Sequence, residues 1–477
     1  MIRANVRCKM TGKFSKYLKS KKKVIYQLID ILQKKYDYVS ILGTDVSGIS
    51  ISVNNHSTAV VPSSIAECGF VVKVYHENIY SEYATNDISE NRLEKIVADI
   101  DALTSQKFSS EAISVPLLSE EKLVQSFQRK PKGKSYTTEE IISILKAYVS
   151  EAMNEIQYVV NVRTTIENVE ISKMFISPNK DLEQYYTWSN PRAFVLVRRE
   201  GNTKYAYDGF GSNNIHQNLL DLYKSIIEAG KLAVELLDST LPVPGFYDVI
   251  TDPSISGLIA HEAFGHGVEM DMFVKDRALA QEYVGKQVAS PLVNMHDGAA
   301  ATYSVASYFF DDDGVLGQDT KIIDQGILKR GISDALSALE LKTKPTGNGR
   351  RESYKRKTYT RMTNTFFESG DAKLKDMIKS IKHGYYIATT NNGMEDPKNW
   401  GIQCTAHYGR EIVDGKFTGK IISPVVMSGY VIDLLHSITA VSKDFKVIGS
   451  GMCGKGHKEW VRVSDGGPYM KAKVKIG

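Results

Sequence analysis

The apolar positions of the first segment follow a helical pattern and then a strand pattern. Residues 47–53 alternate between apolar and polar side chains, which predicts a half-buried strand, and residues 69–75 and 78–83 predict two more. Asp87 and Glu90 have the spacing of a capping box, which predicts a helix over about 89–105. Residues 15–36 carry apolar side chains at helical spacing (Leu18, Val24, Ile25, Leu28, Ile29 and Leu32). Residues 1–110 are therefore expected to form one α+β block.

A second block with the same mixture of patterns follows over residues 111–240. Its residues 128–135 are basic and poor in apolar side chains, which indicates a surface loop. Thr137 and Glu140 form a capping box that predicts a helix reaching about Asn154. Four strands and one long helix are predicted after it, over 157–164, 166–171, 193–199, 204–207 and about 215–237.

The third segment, residues 241–477, is mostly strand-like and contains many glycines. It opens with a proline-rich hinge at 241–245, and Asp252 followed by Pro253 then indicates a helix start. The fold class predicted for the whole chain is α+β. Mixed sheet and helix blocks come first, and a strand-rich C-terminal domain carrying one His-Glu-x-x-x-His helix comes last.

Composition narrows the range of functions. The chain has 477 residues and a formal net charge of +5 from 60 basic and 55 acidic residues, so the balance gives no case for nucleic acid or a membrane surface as partner. The N-terminus lacks the apolar core of a signal peptide, so the expected location is the cytoplasm. Four cysteines in so long a chain do not form a disulfide scaffold, and we expect thiols or metal ligands.

His261, Glu262 and His266 are the residues with the clearest chemical signal. Two imidazoles with a carboxylate beside the first are typical of zinc hydrolases, in which the histidines hold the metal and the glutamate is the general base. Five residues advance a regular helix by about 500°, which leaves the histidines roughly 140° apart. They can share one metal only if the helix widens into a π-type turn, or ends and bends at Gly265.

Two other polar clusters allow more than one interpretation. The three adjacent carboxylates of residues 311–313 could bind a cation, although an acidic turn on a sheet rim is the simpler interpretation. Arg350, Arg351 and Arg361 could bind substrate carbonyls or a C-terminal carboxylate, and an exposed basic loop is equally consistent with the sequence.

Taken in order, the motifs of residues 241–454 resemble the TldD/PmbA family of metallopeptidases, in its metal-bearing TldD branch. The motifs that carry the resemblance are Leu241-Pro-Val-Pro-Gly245, the His261-to-Asp271 segment, Phe310-Asp-Asp-Asp-Gly314, Thr346-Gly-Asn-Gly-Arg-Arg351, Arg361-Met-Thr-Asn364 and Gly451-Met-Cys-Gly454. The resemblance implies that Cys453 is the third zinc ligand. His457, four residues further on, is the alternative that the sequence leaves open.

The resemblance also implies an activity and an assembly. The expected function is hydrolysis of unfolded or extended peptides by a zinc-activated water, with Glu262 as general base. The expected partner is a second copy or a PmbA/TldE-like relative, in a dimer that encloses the site. The alternative is a non-catalytic or regulatory metal-binding subunit of such a dimer.

Overall fold

The structure is a computed structural model that describes residues 12–105, 115–456 and 458–477, so His457 lies outside the described residues. Within these ranges, no helix is both long and apolar enough to cross a membrane. The α-helices are α1 (Lys16–Leu32), α2 (Leu93–Thr104), α3 (Thr138–Glu155), α4 (Ile215–Leu236), α5 (Pro253–Leu258), α6 (Met270–Val274), α7 (Ala335–Glu340), α8 (Leu374–Lys379) and α9 (Val431–His436).

In the described ranges the strands outnumber the helices, and 13 of the 21 lie in the C-terminal half. They are β1 (Tyr38–Asn54), β2 (Thr58–Pro62), β3 (Glu67–His76), β4 (Ile79–Thr85), β5 (Leu123–Arg129), β6 (Val159–Ile176), β7 (Lys180–Arg199), β8 (Asn202–Gly209), β9 (Gly245–Thr251), β10 (Met295–Asp297), β11 (Thr320–Asp324), β12 (Ile327–Leu328), β13 (Gly349–Arg350), β14 (Tyr359–Thr360), β15 (Asn364–Phe367), β16 (His383–Asp396), β17 (Gly401–Val413), β18 (Lys416–Ile422), β19 (Val425–Tyr430), β20 (Ala440–Lys455) and β21 (Lys458–Ile476). The predicted α+β class, with a strand-rich C-terminal domain, is confirmed.

The strands of both N-terminal blocks form one sheet. Its eight described strands run in the order β4-β3-β1-β6-β7-β5, with β2 beside β1 and β8 beside β7. Strand β1, from residues 1–110, pairs antiparallel with β6, from residues 111–240, over 14 residue pairs from Ile41↔Ile176 to Asn54↔Arg163. The two blocks thus share a sheet. The domain boundaries predicted after residues 110 and 240 stay a prediction.

Strand β1 shows how alternation sorts the two faces of this sheet. Ile41 packs against α1, and Ile51 packs against α3 and α4. Leu42 and Val46 point to the opposite face and pack against residues 299–310 of the C-terminal half. Burial of each such side chain contributes about 1.5–3 kcal/mol. One face therefore carries the helices, and the other face binds the C-terminal half.

Two predicted helix starts have different outcomes. The Thr137 hydroxyl accepts the backbone N–H of Glu140 at 3.2 Å and the Glu140 carboxylate accepts that of Thr137 at 2.7 Å, which confirms the capping box of α3. The capping box predicted from Asp87 is wrong. A 3₁₀ turn without a side-chain cap precedes α2 there, because the Asp87 carboxylate accepts the Ser89 hydroxyl instead of a helix N–H.

The C-terminal sheet closes on itself around α5. Nine of its eleven described strands follow the order β12-β11-β10-β15-β21-β19-β17-β16-β9, with β18 beside β17 and β20 beside β21, and β9 also pairs with β21. Strands β21, β19, β17, β16 and β9 therefore form a ring of hydrogen-bonded neighbours. Residues of α5 pack into the core of this ring, which fixes the helix that leads to the histidines.

The acidic turn at residues 311–314 is buried between the two sheets rather than placed on a rim. Lys73 Nζ donates to Asp313 Oδ1 at 2.6 Å, and Lys173 Nζ donates to Asp312. Asp311 accepts backbone N–H groups of its own turn, and burial and the neighbouring Asp313 raise its pKa well above the usual value. Lysines of the N-terminal sheet neutralise two of these carboxylates, so the turn fastens the halves together.

We predict that Lys73→Met lowers stability strongly, because it leaves the buried Asp313 carboxylate without its closest cation. The expected loss is about 3–5 kcal/mol, measurable as a fall in thermal unfolding midpoint. Lys95→Met, which removes the exposed pair with Asp99 (3.4 Å), is the matched control and should move the midpoint little. Equal midpoints for both variants would contradict the fastening role.

Candidate metal centre

Helix α5 begins where the sequence predicts. The Asp252 carboxylate accepts the backbone N–H of Ile255 at 2.8 Å, and Pro253 occupies the first turn, where its missing N–H has no partner to lose. Ile255 and Leu258 are buried in the C-terminal core. The cap and this packing together fix the position of the next turn, which carries the histidines.

That next turn is a π-type turn, one of the two distortions that the five-residue spacing allows. Residues Ile259–Gly265 form a π-helical segment, and the backbone N–H of His266 donates to the carbonyl of His261. This i→i+5 hydrogen bond brings the two residues one above the other on one face of the widened helix. A 3₁₀ turn, His266–Val268, follows immediately and ends the segment. The expected distortion is confirmed.

Two glycines let neighbouring chain segments approach this turn. Gly265 has an ordinary helical φ of −61°, so its backbone conformation does not require glycine. Glycine is needed because a Cβ atom there would lie 2.2 Å from Met362 Sδ. At Gly393 on β16, a Cβ atom would lie 2.6 Å from Glu262 Cγ. A larger residue at either position would therefore displace the turn or the Glu262 side chain.

The structure brings His261, His266 and Cys453 together. His261 Nε2 lies 3.1 Å and His266 Nε2 lies 3.4 Å from Cys453 Sγ, and one ligand atom from each residue lies within 4.8 Å of the others. The rings of the two histidines are perpendicular, with centroids 5.2 Å apart. Within the part of the chain that the structure describes, this is the one such cluster of three metal-ligating side chains.

The electrostatics of the cluster are those of a cation site. Burial would raise the pKa of the Cys453 thiol, but the two imidazoles hold it well below its usual value. Burial would lower the pKa of His261, but the Cys453 thiolate raises it to about 9, and the pKa of His266 is also raised well above its usual value. The Cys453 thiolate thus favours a positive charge between its own Sγ and the Nε2 atoms of the two histidines.

The donor set fits a divalent transition metal. Two imidazoles and a thiolate suit borderline or soft ions, and three protein ligands leave a fourth position for water or substrate. His261 Nδ1 is buried without a hydrogen-bond partner, although its Nε2 faces the cluster. The assignment of His261, His266 and Cys453 as metal ligands stays a prediction.

Glu269, Arg361 and Lys455 surround the cluster. Glu269 Oε2 lies 3.5 Å from His266 Nδ1 and accepts from Lys455 Nζ at 2.9 Å. Arg361 donates to Cys453 Sγ at 2.8 Å and lies 3.4 Å from Glu269 Oε1. Burial would raise the pKa of Glu269, but Lys455, His266 and Arg361 lower it, so this carboxylate remains ionised and orients His266.

The three arginines expected to bind substrate are all bound to groups of the chain itself. Arg350 donates to the carbonyls of Met362 and Arg462, both at 2.6 Å, and Arg351 forms a bidentate pair with Glu82 at 2.7 and 2.6 Å. Arg361 is fully buried and its guanidinium contacts Cys453 and Glu269. Substrate binding by all three arginines stays a prediction.

A cavity of about 730 Å³ opens onto the cluster. Its lining includes His261, Glu262, His266 and Cys453, and Glu262 Oε2 lies 3.9 Å from His266 Nε2. Asp465 also lines it, and burial raises the pKa of this carboxyl to about 6.

Sequence reasoning missed several residues around this cavity. Asp465 and Glu395 line it, and neither belongs to a recognisable motif. Lys455 could have been found, because it follows Cys453 by two residues and side chains two apart share a strand face. Glu269 lies beside His266, and Asp271 pairs with Lys455.

Comparison with known proteins agrees with this geometry. Residues 244–477 match the PmbA/TldA metallopeptidase C-terminal domain. A metalloprotease of Methanocaldococcus jannaschii is 28% identical over 409 residues, which cover 84% of this chain and 89% of the relative. A zinc metalloprotease TldD homolog of Saccharolobus solfataricus is 32% identical over 303 residues, which cover 61% and 65%.

Among solved structures, TldE from Thermococcus kodakarensis has the same fold. It superimposes with a TM-score of 0.74 at 17% identity, over 95% of this chain and 100% of that one. The matched domain, the metalloprotease relatives and the His-Glu-x-x-x-His segment together show that this chain belongs to the TldD/PmbA family of metallopeptidases.

Proposed function

We propose that this chain is a zinc-dependent peptidase that hydrolyses unfolded or extended peptides, with His261, His266 and Cys453 as zinc ligands and Glu262 as general base. The observation that carries the proposal is the i→i+5 turn, which puts two imidazoles beside a thiolate at the wall of a cavity. Zinc is the ion named for the Saccharolobus relative, and it favours nitrogen and sulfur donors.

The chain's own groups supply the proton chemistry. Zinc, when bound, polarises a carbonyl oxygen and acidifies water. Glu262 lines the cavity and follows His261 directly in the chain. Its Oε2 lies 3.9 Å from His266 Nε2, so the carboxylate is adjacent to both imidazole ligands. Its carboxylate takes a proton from the attacking water and then donates that proton to the leaving amine as the C–N bond breaks. Arg361 and Glu269 hold Cys453 and His266 in place during this exchange.

The size of the cavity supports an extended substrate. A volume of about 730 Å³ is in the range of small-ligand pockets and far too small for a folded domain. The proposed assembly is a homodimer, or a heterodimer with a PmbA/TldE-like relative, and the structural similarity to TldE supports such a partnership. The competing candidate is a metal-binding subunit without turnover, and cleavage assays separate the two.

We predict about one equivalent of zinc per chain, most of which is lost in Cys453→Ala. Elemental analysis of purified protein measures it. Cys404→Ala is the matched control, because Cys404 is also a buried thiol but is not part of the cluster, and it should keep its zinc. Full zinc retention by Cys453→Ala would remove this residue from the site.

We predict that Glu262→Gln keeps its zinc and loses hydrolysis by about two to four orders of magnitude, because general-base catalysis is removed while the ligands remain. The measurement is kcat/KM on an unstructured peptide, together with metal content. Glu282→Gln, a change of an exposed glutamate, should be indistinguishable from the unmodified chain. Unchanged turnover in Glu262→Gln would overturn the assigned role.

We predict that the protein is dimeric and cleaves unfolded chains while sparing the same sequences when folded, because a narrow cavity excludes folded domains. Light scattering gives the assembly, and digestion of one protein before and after unfolding gives the selectivity. A parallel digest with Glu262→Gln subtracts any contaminating protease. A monomer that cuts both forms at equal rates contradicts the proposal.

A further inference from the structure

A second cavity, of about 490 Å³, adjoins the one at the metal cluster. Ser254, Thr390, Ile448 and Ser450 line both cavities, so the two are neighbours. The Tyr207 hydroxyl donates to the Thr390 carbonyl at 2.6 Å at this border and joins the two halves of the chain there. The second cavity therefore lies beside the part of the first cavity that an extended peptide at the metal cluster would occupy.

The N-terminal sheet supplies the cationic wall of this second cavity. Arg163 on β6 stands opposite Phe194 on β7, and Arg192 stands opposite Thr165, so these four side chains share one face. The Arg163 guanidinium lies over the Phe194 ring at 5.7 Å from its centroid. All four residues line the cavity.

Lys446 on β20 adds a third cation from the C-terminal half. Arg163, Arg192 and Lys446 are each exposed, and within the described ranges none of them has a carboxylate partner within ion-pair distance. Arg192 uses only part of its guanidinium, in bonds to Asn190 at 3.2 Å and to the Ser450 carbonyl at 3.4 Å. The remaining N–H groups are available to a ligand.

The two acidic residues of the same cavity are already engaged. Asp208 accepts the Ser225 hydroxyl at 2.6 Å and the backbone N–H of Gly209 at 2.8 Å. Asp252 caps α5, and burial raises its pKa. Their oxygens therefore face groups of the chain itself, and three cations against two carboxylates leave the lining with a net positive charge.

We infer that this second cavity is a subsite for a carboxylate of the peptide substrate, either an acidic side chain or the C-terminal carboxylate. The inference rests on the proposed peptidase function and adds to it a preference for anionic peptides. Ser450, which contacts Arg192, precedes Cys453 by three residues on β20, a distance of about 10 Å along a strand. That distance corresponds to about three residues of an extended peptide between the metal cluster and the bound carboxylate.

Peptide binding to the Glu262→Gln protein tests the inference without cleavage. Three peptides share one otherwise neutral sequence and a neutral fluorophore. The first has Gln at one position and a C-terminal amide, and so carries no carboxylate. The second has Glu in place of that Gln, and the third keeps the Gln but has a free C-terminal carboxylate. Fluorescence anisotropy at low salt should show one carboxylate form binding about three- to tenfold more tightly than the neutral amide. The preference should shrink as salt is added.

The carboxylate peptide that binds more tightly, the Glu form or the free C-terminal form, shows whether the subsite takes a side-chain or a C-terminal carboxylate. Added to the Glu262→Gln background, Arg163→Met with Arg192→Met should reduce the preference to below twofold, and Arg192→Lys should keep part of it. Arg198→Met is the matched control, because Arg198 is an exposed arginine further along β7 that does not line the cavity, and it should leave the preference unchanged.

Equal binding of all three peptides, or a preference that survives the double arginine change, overturns the inference. Cleavage of the same peptides by the unmodified chain distinguishes this failure from a failure of the proposed function. Equal kcat/KM for all three forms keeps the peptidase and removes the subsite. Preferred binding of a carboxylate form without any cleavage keeps the subsite and removes the peptidase.

Discussion

The candidate site depends on one backbone hydrogen bond, from the N–H of His266 to the carbonyl of His261. In a regular helix, residues five apart point in different directions, and these two imidazoles could not meet Cys453 at one point. The π-type turn corrects the direction, and its bond joins the two histidines themselves. The close approach of Met362 to Gly265 and of Gly393 to Glu262 holds this uncommon turn within a packed core. Irregular helix geometry of this kind is frequent at functional sites.

Local features of the sequence predicted the local features of this site. The residue count between the histidines required a distortion of the helix, of which the widened turn was one alternative, and Asp252-Pro253 predicted the start of α5. Both predictions depend on neighbouring residues alone. Cys453 is 192 residues from His261, and no periodicity connects them, so it was accessible only through resemblance to a known family. The ring of strands that packs against α5, and that β20 joins through β21, depends on pairings of β9 with β16 and β21, which alternation within one strand cannot specify.

Charged residues were the least predictable part of the chain. A buried guanidinium needs several partners at once, and those of Arg361 come from Glu269, Cys453 and Glu459, which are distant in sequence. The acidic turn at 311–314 looked like a surface feature because its lysine partners lie about 140 to 240 residues earlier. Long-range ion pairs decide whether such clusters are exposed, and sequence patterns do not reveal them.

The central claim is that the widened turn and β20 together form one metal site with two imidazole ligands and one thiolate. X-ray absorption at the zinc edge of the purified protein tests this most directly, because sulfur and nitrogen scatter differently. The account predicts one sulfur and two imidazole nitrogens bonded to each zinc, with the sulfur signal absent in any residual metal of Cys453→Ala. A spectrum of nitrogen and oxygen ligands alone, or one with several sulfurs, would contradict it.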